Sequence, residues 1–414
     1  MPNPPDPARE LAESFDLRQL PAGFLDDPFP TYAALLRHAP VKRMPDGSVL
    51  LTRYADLEFV YKNPRLFSSD KRQEFQPKYG DSLLYEHHTS SLVFNDPPLH
   101  TRVRRLITGA LTPRAIAQLE PDLRLLVGAL LDRMEAQAKA GHPVDLIDDF
   151  ASAIPIEVIG NLLGVPHGER APLRGWSLAI LGALEPVLSP AVFEAGNRAV
   201  AQFTAYLEGL IAQRRTQPGD AGRDVLTRLI QGEEGGERLS ARELLHNCIF
   251  LLNAGHETTT NLIGNGLVAL MRHPAQKRRL VDNPSLIHSA LEEVLRFESS
   301  NQLGNRVTTE ALELGGVPLA ARTLVTLCIA AANRDPAQFR HPQVFDIGRT
   351  PNRHLAFAAG IHVCAGLTLA RLEGTVAIGG FIARFPEAVL DSVPVRGGRA
   401  RFRGFLHVPC KLHG

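Results

Sequence analysis

The chain has 414 residues, and its 45 Lys and Arg residues nearly balance its 44 Asp and Glu residues, for a formal net charge of +1. This balance argues against nucleic-acid binding, which needs an excess of positive charge. The 34 glycines and 31 prolines are too few for a low-complexity chain, and the 44% hydrophobic residues can form one large core.

Residues 1–20 form a Pro-rich, polar stretch without the basic and apolar segments of a secretion signal, and we predict a flexible extension here. The most apolar windows, 244–254 and 324–332, fall well short of the roughly 20 residues needed to cross a membrane. The four cysteines stand singly, as in a reduced intracellular protein. These features predict a cytoplasmic protein with no membrane partner.

Residues 41–52 contain the first β signal. Two short segments, 41–44 and 48–52, flank Pro45-Asp46-Gly47, and Asp-Gly supplies the positive φ that a tight hairpin turn requires. The pattern predicts a small β-sheet near the N-terminus.

From about residue 113 to residue 274, apolar residues recur every three or four positions, which is the spacing of amphipathic helices. Strand-like runs return only at 312–317, 323–329 and 401–408. We find no linker between these regions. The sequence therefore predicts a single domain over residues 1–414, mainly α with a minor β portion.

One helix stands out by its length. It begins at the capping box Ser240-Ala241-Arg242-Glu243, and no proline follows until Pro274, so roughly 30 residues, or about 45 Å, are helical. Its middle, residues 254–259, reads Ala-Gly-His-Glu-Thr-Thr, which weakens the helix at its most buried part. Such a conflict is typical of a functional site; the alternative is a tolerated glycine beside a solvated face. The zinc motif HExxH is excluded because its second histidine would fall at Thr260.

The strongest local signal is the segment 357–366, Phe-Ala-Ala-Gly-Ile-His-Val-Cys-Ala-Gly. It places Cys364 at the start of a helix, where backbone N–H groups favour the thiolate form that ligates metals. Gly360 and Gly366 let the backbone fold tightly around the sulfur. Outside such a pattern, a lone cysteine is usually a small core residue.

The pattern Phe-x-x-Gly-x-His-x-Cys-x-Gly resembles the haem-binding loop of the cytochrome P-450 family. Four further segments resemble the family in the same order: 96–105, the central-helix segment 254–259, the pair Glu293 and Arg296, and 333–336. Two positions depart from the usual pattern, because Ala358 replaces Gly or Ser and Ser300 replaces a proline common in bacterial members. The resemblance implies a bacterial, soluble haem-thiolate monooxygenase with a long central helix over a haem.

The resemblance also assigns the cofactor site. Cys364 is implied to ligate the iron of haem b, and the residues at matching positions are implied to contact the haem: His100, Arg104, Ala254, Arg306, Phe357, His362 and Gly366. In a helix, His100 and Arg104 share the face that carries Val103 and Ile107, while Arg102 and Arg105 are rotated away. Cations on that face would offset the burial of haem propionates, and the alternative is ordinary surface salt bridging.

Glu293 and Arg296 are three residues apart in a predicted helix, beside an apolar arc. A carboxylate and a guanidinium in that place should be partly buried and must satisfy each other. We interpret them as a structural pair that supports the cysteine loop and has no part in chemistry.

Two residues of the central helix are implied to be catalytic. Thr258 offers a hydroxyl opposite the cysteine, and Glu257 can take a proton from solvent and pass it on through water, so that the co-substrate O2 is cleaved. The alternative for Glu257 is a structural salt bridge. The acid–alcohol pair favours this enzyme over two other functions, a haem-thiolate gas sensor or binding protein and a peroxide-driven peroxygenase.

Electrons must come from another protein, because no Gly-rich dinucleotide motif precedes a helix and we expect no flavin or NAD site in this chain. A ferredoxin or flavodoxin and its reductase are the expected partners. A basic patch on the cysteine side of the haem would suit an acidic partner, although its members could equally be solvated surface charges: Arg102, Arg105, Arg349 and Arg353.

The substrate is the least determined part of the prediction. The predicted pocket residues are Phe250, Asn253, Gln302, Leu303 and Phe405. The neighbouring loop, residues 75–93, is also predicted to border the pocket, and Lys71 or Arg72 could meet a carboxylate if this loop folds inward. The mixed composition predicts a small hydrophobic substrate, with an oxygenated aromatic or terpenoid molecule preferred over a long alkane.

Overall fold

The fold is described by a computed structural model that covers residues 6–220, 224–231 and 238–413. Within these ranges the chain is mainly helical, as predicted, with short strands. The helices are α1 Pro7–Ser14, α2 Phe29–His38, α3 Tyr54–Lys62, α4 Arg72–Tyr79, α5 Leu83–Ser90, α6 Leu99–Ala110, α7 Pro113–Ala117, α8 Glu120–Lys139, α9 Ala153–Leu162, α10 Leu173–Gly182, α11 Pro190–Thr216, α12 Val225–Gln231, α13 Ala241–Arg272, α14 Pro274–Asp282, α15 Ile287–Phe297, α16 Ile329–Ala332 and α17 Leu367–Arg384. The strands are β1 Val41–Arg43, β2 Val49–Leu51, β3 Phe67–Ser68, β4 Val144–Asp145, β5 Leu303–Thr308, β6 Leu312–Leu314, β7 Val317–Leu319, β8 Leu324–Cys328, β9 Val389–Leu390, β10 Val395–Arg396, β11 Phe405–His407 and β12 Pro409–Lys411.

The hairpin predicted near the N-terminus is present. β1 and β2 pair antiparallel on either side of Asp46-Gly47, where Gly47 has a φ of +84°. β2 also pairs in parallel with β8, so that the five-stranded sheet has the order β1-β2-β8-β5-β3. This sheet therefore joins the N-terminal hairpin to strands from the last third of the chain.

Several strand predictions differ from the structure. The segment 312–317 is part of a second hairpin, because Gly315 and Gly316 both have a positive φ and separate β6 from β7. The predicted strand 323–329 ends at Cys328, and the segment 401–408 forms a strand only over Phe405–His407. β5 is a strand that the sequence does not predict, because its Gly304 and Asn305 are residues that strands disfavour.

Most of the segment predicted to be a flexible extension is packed against the rest of the domain. α1 begins after Asp6, whose side chain accepts a hydrogen bond from Ala8 N–H at 3.1 Å, and it packs against α2. Ala12 and Phe15 are buried in the same cluster as Tyr32. Residues 1–5 lie outside the described ranges.

α13 crosses the core, and both halves of its predicted capping box form. Ser240 Oγ accepts from Glu243 N–H at 3.2 Å, and Glu243 Oε2 accepts from Ser240 N–H at 2.8 Å. Buried residues lie on all sides of the helix, and α9, α10, α11, α15 and α17 pack against it. A helix buried all round has no solvated face in its middle. The polar residues of segment 254–259 are therefore inside the protein.

Glu293 and Arg296 form a fully buried pair, each with 0% exposure of its side chain. Two bonds of 2.8 Å join the guanidinium to the carboxylate. Arg296 Nη1 also donates to the Asn333 carbonyl at 2.9 Å, and Asn333 Oδ1 accepts from Leu355 N–H at 2.7 Å, shortly before Phe357. The pair therefore connects α15 to the segment that leads into the cysteine loop.

Candidate active site

The cysteine loop, residues 357–366, precedes α17 and carries Cys364 near its end. Cys364 N–H donates to the Phe357 carbonyl at 2.9 Å and closes the loop. Gly360 has a φ of +67°, and a Cβ atom on it would lie 2.1 Å from the Tyr61 carbonyl oxygen, so only glycine fits there. Ala358 has a φ of +56°, in the left-handed region that a Cβ disfavours. The loop therefore contains one strained residue at the position where the family pattern usually has Gly or Ser.

The Cys364 side chain lines the main cavity of the molecule. α17 begins at Leu367, three residues after Cys364. Burial raises the pKa of the thiol, while the Gly366 N–H, Arg104 and Arg371 act in the opposite direction. The helix start was expected to favour the thiolate, but desolvation outweighs it here. A cation bound at the sulfur would reverse this balance.

Four nitrogen-bearing side chains lie beside the loop in the same cavity: His100 and Arg104 from α6, Arg306 from β5, and His362 from the loop itself. The ring centroids of His100 and His362 are 4.1 Å apart. Both ring nitrogens of His100 and the Nε2 of His362 are buried without a hydrogen-bond partner among the described residues. A ligand that carries carboxylates would supply the missing partners.

The pKa values of the His100 and His362 imidazoles reflect their burial beside arginines. Burial and Arg104 lower the pKa of His100 to about 4, with a smaller contribution from Arg306. Burial, Arg306 and His100 lower the pKa of His362 to about 2. An anion beside these rings would raise both pKa values, because it stabilises the protonated form.

The cavity has a volume of about 1220 Å³. Phe357, Cys364 and Gly366 of the loop line it, as do Ala254 and Thr258 of α13. A sulfur ligand on one element, small side chains on α13 and nitrogen groups suited to propionates are what a haem requires. The residues present therefore fit a haem, with Cys364 as the metal ligand.

Gly255 has a packing role that the sequence analysis did not identify. A Cβ atom on Gly255 would lie 2.7 Å from Ile159 Cδ1 of α9. The glycine thus lets α13 approach α9 closely, and this contact accounts for a residue that otherwise weakens the helix.

Glu257 and Thr258, the predicted catalytic pair, face different surroundings. Glu257 is 5% exposed, and its Oε1 accepts from Arg399 Nη1 at 2.6 Å. Burial raises the pKa of Glu257 to about 7, although Arg399 lowers it. Thr258 lines the cavity, and its hydroxyl donates to the Ala254 carbonyl at 2.6 Å. Glu257 does not line the cavity. Its salt bridge with Arg399 is buried, whereas the alternative expected a salt bridge at the helix surface.

Three of the five residues predicted for the substrate pocket lie in the cavity wall. Phe250, Asn253 and Leu303 line the cavity. Gln302 does not, because its side chain turns to the Ser299 carbonyl. Phe405 does not either, because it lies in β11, where the Arg396 guanidinium stacks 3.9 Å from its ring centroid.

Other residues complete the cavity wall. His87 and His88 of α5 line it, in a segment predicted to border the pocket, and two consecutive histidines in a short helix were the signal available in the sequence. Phe402 also lines it, three residues before the predicted Phe405. Lys71 is buried in the wall, but its Nζ already binds Glu74 Oε2 at 2.6 Å. Arg72 pairs with Asp70 at the surface.

Two arginines of the predicted basic patch form ion pairs with carboxylates. Arg349 Nε donates to the Glu293 carboxylate at 3.1 and 3.2 Å, so this guanidinium belongs to the buried pair of α15. Arg102 forms an ion pair with Glu243, the capping residue of α13. Arg105 and Arg353 are exposed. Two of the four arginines, Arg102 and Arg349, thus have carboxylate partners that are distant in sequence.

Within the described residues, no helix is both long enough and apolar enough to cross a membrane. A family model described as cytochrome P450 matches residues 179–395 of the chain. The Vitamin D(3) 25-hydroxylase of Pseudonocardia autotrophica is 41% identical over 372 residues, which are 89% of this chain and 88% of the relative.

Two solved structures share the fold over nearly the whole chain. P450BioI in complex with hexadec-9Z-enoic acid ligated acyl carrier protein superposes with a TM-score of 0.88 and 34% identity, covering 94% of this chain and 99% of that one. CYP109E1 from Bacillus megaterium in complex with testosterone gives a TM-score of 0.86 and 30% identity, covering 95% and 100%. The chain therefore belongs to the cytochrome P450 family of haem-thiolate monooxygenases.

Proposed function

We propose that this chain binds haem b through Cys364 and transfers one oxygen atom of O2 to a bulky lipophilic substrate. The observation that carries the proposal is the shared cavity of Cys364 and Thr258, bordered by four nitrogen-bearing side chains. None of these four forms a salt bridge with an Asp or Glu among the described residues. The site thus supplies a thiol that can ligate a metal and a hydroxyl group. It also supplies nitrogen groups that can bind the two carboxylates of a haem.

The haem would be held by residues of four elements. Cys364 would ligate the iron, and His100, Arg104, Arg306 and His362 would bind the propionates. Phe357 and Gly366 would contact the macrocycle from the loop, and Ala254 from α13. When bound, the haem supplies an iron whose thiolate ligand favours cleavage of the O–O bond.

Thr258 and Glu257 would deliver the protons. A pKa of about 7, raised by burial, allows Glu257 to gain and lose a proton near neutral pH, which suits a general acid. Thr258 holds its hydroxyl on the cavity wall through the Ala254 carbonyl. Because Glu257 lies outside the cavity, its proton must reach Thr258 through water or after the carboxyl rotates away from Arg399.

The electrons would come from a separate ferredoxin or flavodoxin and its reductase. Arg105 and Arg353, exposed near the elements that carry Arg104 and the cysteine loop, remain candidates for contact with an acidic partner. All four cysteines are free, which agrees with a reducing cytoplasmic setting.

The substrate is proposed to be larger than a compact aromatic molecule. The cavity of about 1220 Å³ exceeds the usual size of ligand pockets, so it can hold a substrate beside a haem. The relatives named above agree with bulky apolar ligands, since one is a vitamin D(3) hydroxylase and another is complexed with testosterone. We therefore extend the expected oxygenated aromatic or terpenoid class to larger oxygenated lipophiles.

The carbon monoxide difference spectrum tests the proposal. The reduced holoprotein should give the red-shifted band from which the family takes its name, and Cys364→Ala should abolish it. Cys410→Ala, which removes a buried cysteine outside the cavity, is the matched control and should keep the band. A Cys364→Ala protein that retains the band would overturn the ligand assignment.

Turnover assays distinguish the remaining functions. With NADPH, a reductase and a ferredoxin, the enzyme should form a product that contains one atom of labelled O2. Product formed only with hydrogen peroxide would indicate a peroxygenase. Gas binding without oxidation of any substrate in either assay would indicate a sensor.

A further inference from the structure

Three polar side chains of the cavity wall are buried without partners. His87 and His88 of α5 are each 2% exposed, and Asn253 of α13 is 1% exposed. The Nδ1 of His87, the Nε2 of His88, and both the Oδ1 and the Nδ2 of Asn253 find no hydrogen-bond partner in the described parts of the chain. Buried polar groups in native proteins are nearly always hydrogen-bonded, because leaving them unpaired is costly. These atoms are therefore open to a partner that enters the cavity.

The two imidazoles are held rigidly. The His88 ring packs among Phe75, Tyr79 and Phe94, with centroid distances of 5.6, 5.5 and 5.7 Å. The His87 ring lies 5.1 Å from that of His88. Packed rings of this kind present their nitrogens in a fixed direction, which is what selective binding needs.

The two imidazoles are also neutral. Burial lowers the pKa of His87 well below its usual range, and burial with Lys78 and Arg401 lowers the pKa of His88 to about 3. A neutral imidazole has one N–H donor and one acceptor nitrogen, and the Asn253 carboxamide also has both kinds of group. Such groups match hydroxyl and carbonyl oxygens.

Three cations near these side chains, Lys71, Lys78 and Arg401, already bind protein groups. Lys71 Nζ binds Glu74, and Lys78 Nζ donates to the Glu185 carbonyl at 2.8 Å. Arg401 donates to the carbonyls of Leu184 and Leu303 and to Asn305 Oδ1. A carboxylate would share these cations with the oxygens that they already bind, whereas a neutral oxygen meets groups with no partner among the described residues.

We propose that His87, His88 and Asn253 form a polar anchor for hydroxyl or carbonyl oxygens of the substrate. The natural substrate is accordingly a neutral, oxygenated lipophile, and a free fatty acid is disfavoured. This inference rests on the proposed monooxygenase function, because it describes how the same cavity selects its substrate.

Pairs of ligands with and without oxygen test the anchor. Androsterone and androstane, borneol and bornane, and palmitate as a carboxylate are titrated into the holoprotein, with Kd obtained by calorimetry and from the spin-state change of the haem. In at least one pair, the wild-type protein should bind the oxygenated member at least tenfold more tightly than the hydrocarbon. Palmitate should bind more weakly than that member.

Variants then assign the preference to the anchor. His87→Leu with His88→Leu, and separately Asn253→Leu, should reduce the tenfold preference to about twofold or less. His87→Gln with His88→Gln keeps donors and acceptors and should retain part of it. His246→Leu is the matched control, because its buried ring lies 5.7 Å from that of His87 but does not line the cavity.

The outcomes separate this inference from the function on which it rests. If the wild-type protein gives no red-shifted carbon monoxide band, the proposed function is refuted. The ligand preference measured by calorimetry does not depend on that band, so it tests the anchor separately. The anchor is refuted if no ligand pair shows the tenfold preference for the oxygenated member, or if the leucine variants keep that preference. It is also refuted if palmitate binds most tightly and loses affinity in Lys78→Met.

Discussion

Glu257 and Thr258 are consecutive in α13, yet only the Thr258 side chain reaches the cavity, while the Glu257 carboxylate is paired with Arg399 at 2.6 Å. One residue advances a helix by about 100°, so neighbours in sequence point in different directions. The acid and the alcohol are therefore separable by mutation, and each has a distinct expected effect.

Removing the Glu257 charge should change the pH dependence of stability. Burial raises the pKa of Glu257 to about 7, against about 4.3 in an unfolded chain. Between these values the folded state holds a proton that the unfolded state has lost, so stability falls as pH rises, by up to about 4 kcal/mol. In Glu257→Gln this decrease in stability with rising pH should disappear.

Urea unfolding of the holoprotein from pH 5 to pH 7.5 measures this effect. Glu194→Gln, which removes an exposed carboxylate of α11, should keep the wild-type profile. Equal slopes in Glu257→Gln and wild type would contradict the buried, protonated state.

Thr258→Ala should uncouple electron consumption from product formation. The Thr258 hydroxyl lies on the cavity wall, where the Ala254 carbonyl positions it. Loss of this positioned proton carrier should lower product per electron by about tenfold or more, with peroxide as the alternative product. Substrate affinity should change little. Thr260→Ala, a buried threonine of the same helix outside the cavity lining, is the control for general effects on α13. Unchanged coupling in both Thr258→Ala and Glu257→Gln would remove the proton-delivery role.

His100→Ala combined with Arg104→Ala should weaken haem retention. Both residues line the cavity, and their loss would leave buried propionates without partners, which accelerates haem loss by at least about tenfold. The rate of haem transfer to apomyoglobin measures it. Arg102→Gln with Arg105→Gln, on the rotated face of α6, is the control and should retain haem. The opposite pattern would mean that α6 presents its other face to the cofactor.

Ala358→Gly should stabilise the cysteine loop. Ala358 has a φ of +56°, and an L-residue in the left-handed region is destabilised by roughly 1 kcal/mol relative to glycine. Ala359, with a φ of −151°, is in extended backbone, so Ala359→Gly should instead lose about 0.5–1 kcal/mol. The free energy of unfolding of the two variants gives the comparison. A loss of stability in Ala358→Gly as large as that in Ala359→Gly would contradict strain at position 358.

The features predicted correctly from the sequence are those with local causes. The capping box fixes the start of α13, and Asp46-Gly47 fixes the first hairpin. The register of α6 follows from its apolar stripe, which places His100 in the cavity and Arg105 at the surface. Each of these depends on residues within a few positions of one another.

The features predicted wrongly depend on partners far away in the chain. Arg102 pairs with Glu243 and Arg349 with Glu293, and nothing near either arginine in sequence indicates these pairings. Phe405 was assigned to the pocket by its position near the C-terminus, whereas the pairing of β10 with β11 decides where its ring lies. The charge or apolarity of a side chain can be read from the sequence. The residue that pairs with it or packs against it is determined by the fold.

The parallel pairing of β2 with β8 also constrains how the protein is made. Val49 pairs with Val325, so the hairpin leaves the ribosome roughly 270 residues before the strand that covers its second edge. At roughly 5–20 residues per second, this edge waits tens of seconds for its partner during synthesis. Unpaired strand edges are sites of intermolecular association. Expression yield should therefore respond to slower translation or to chaperones more strongly than the stability of the finished protein suggests.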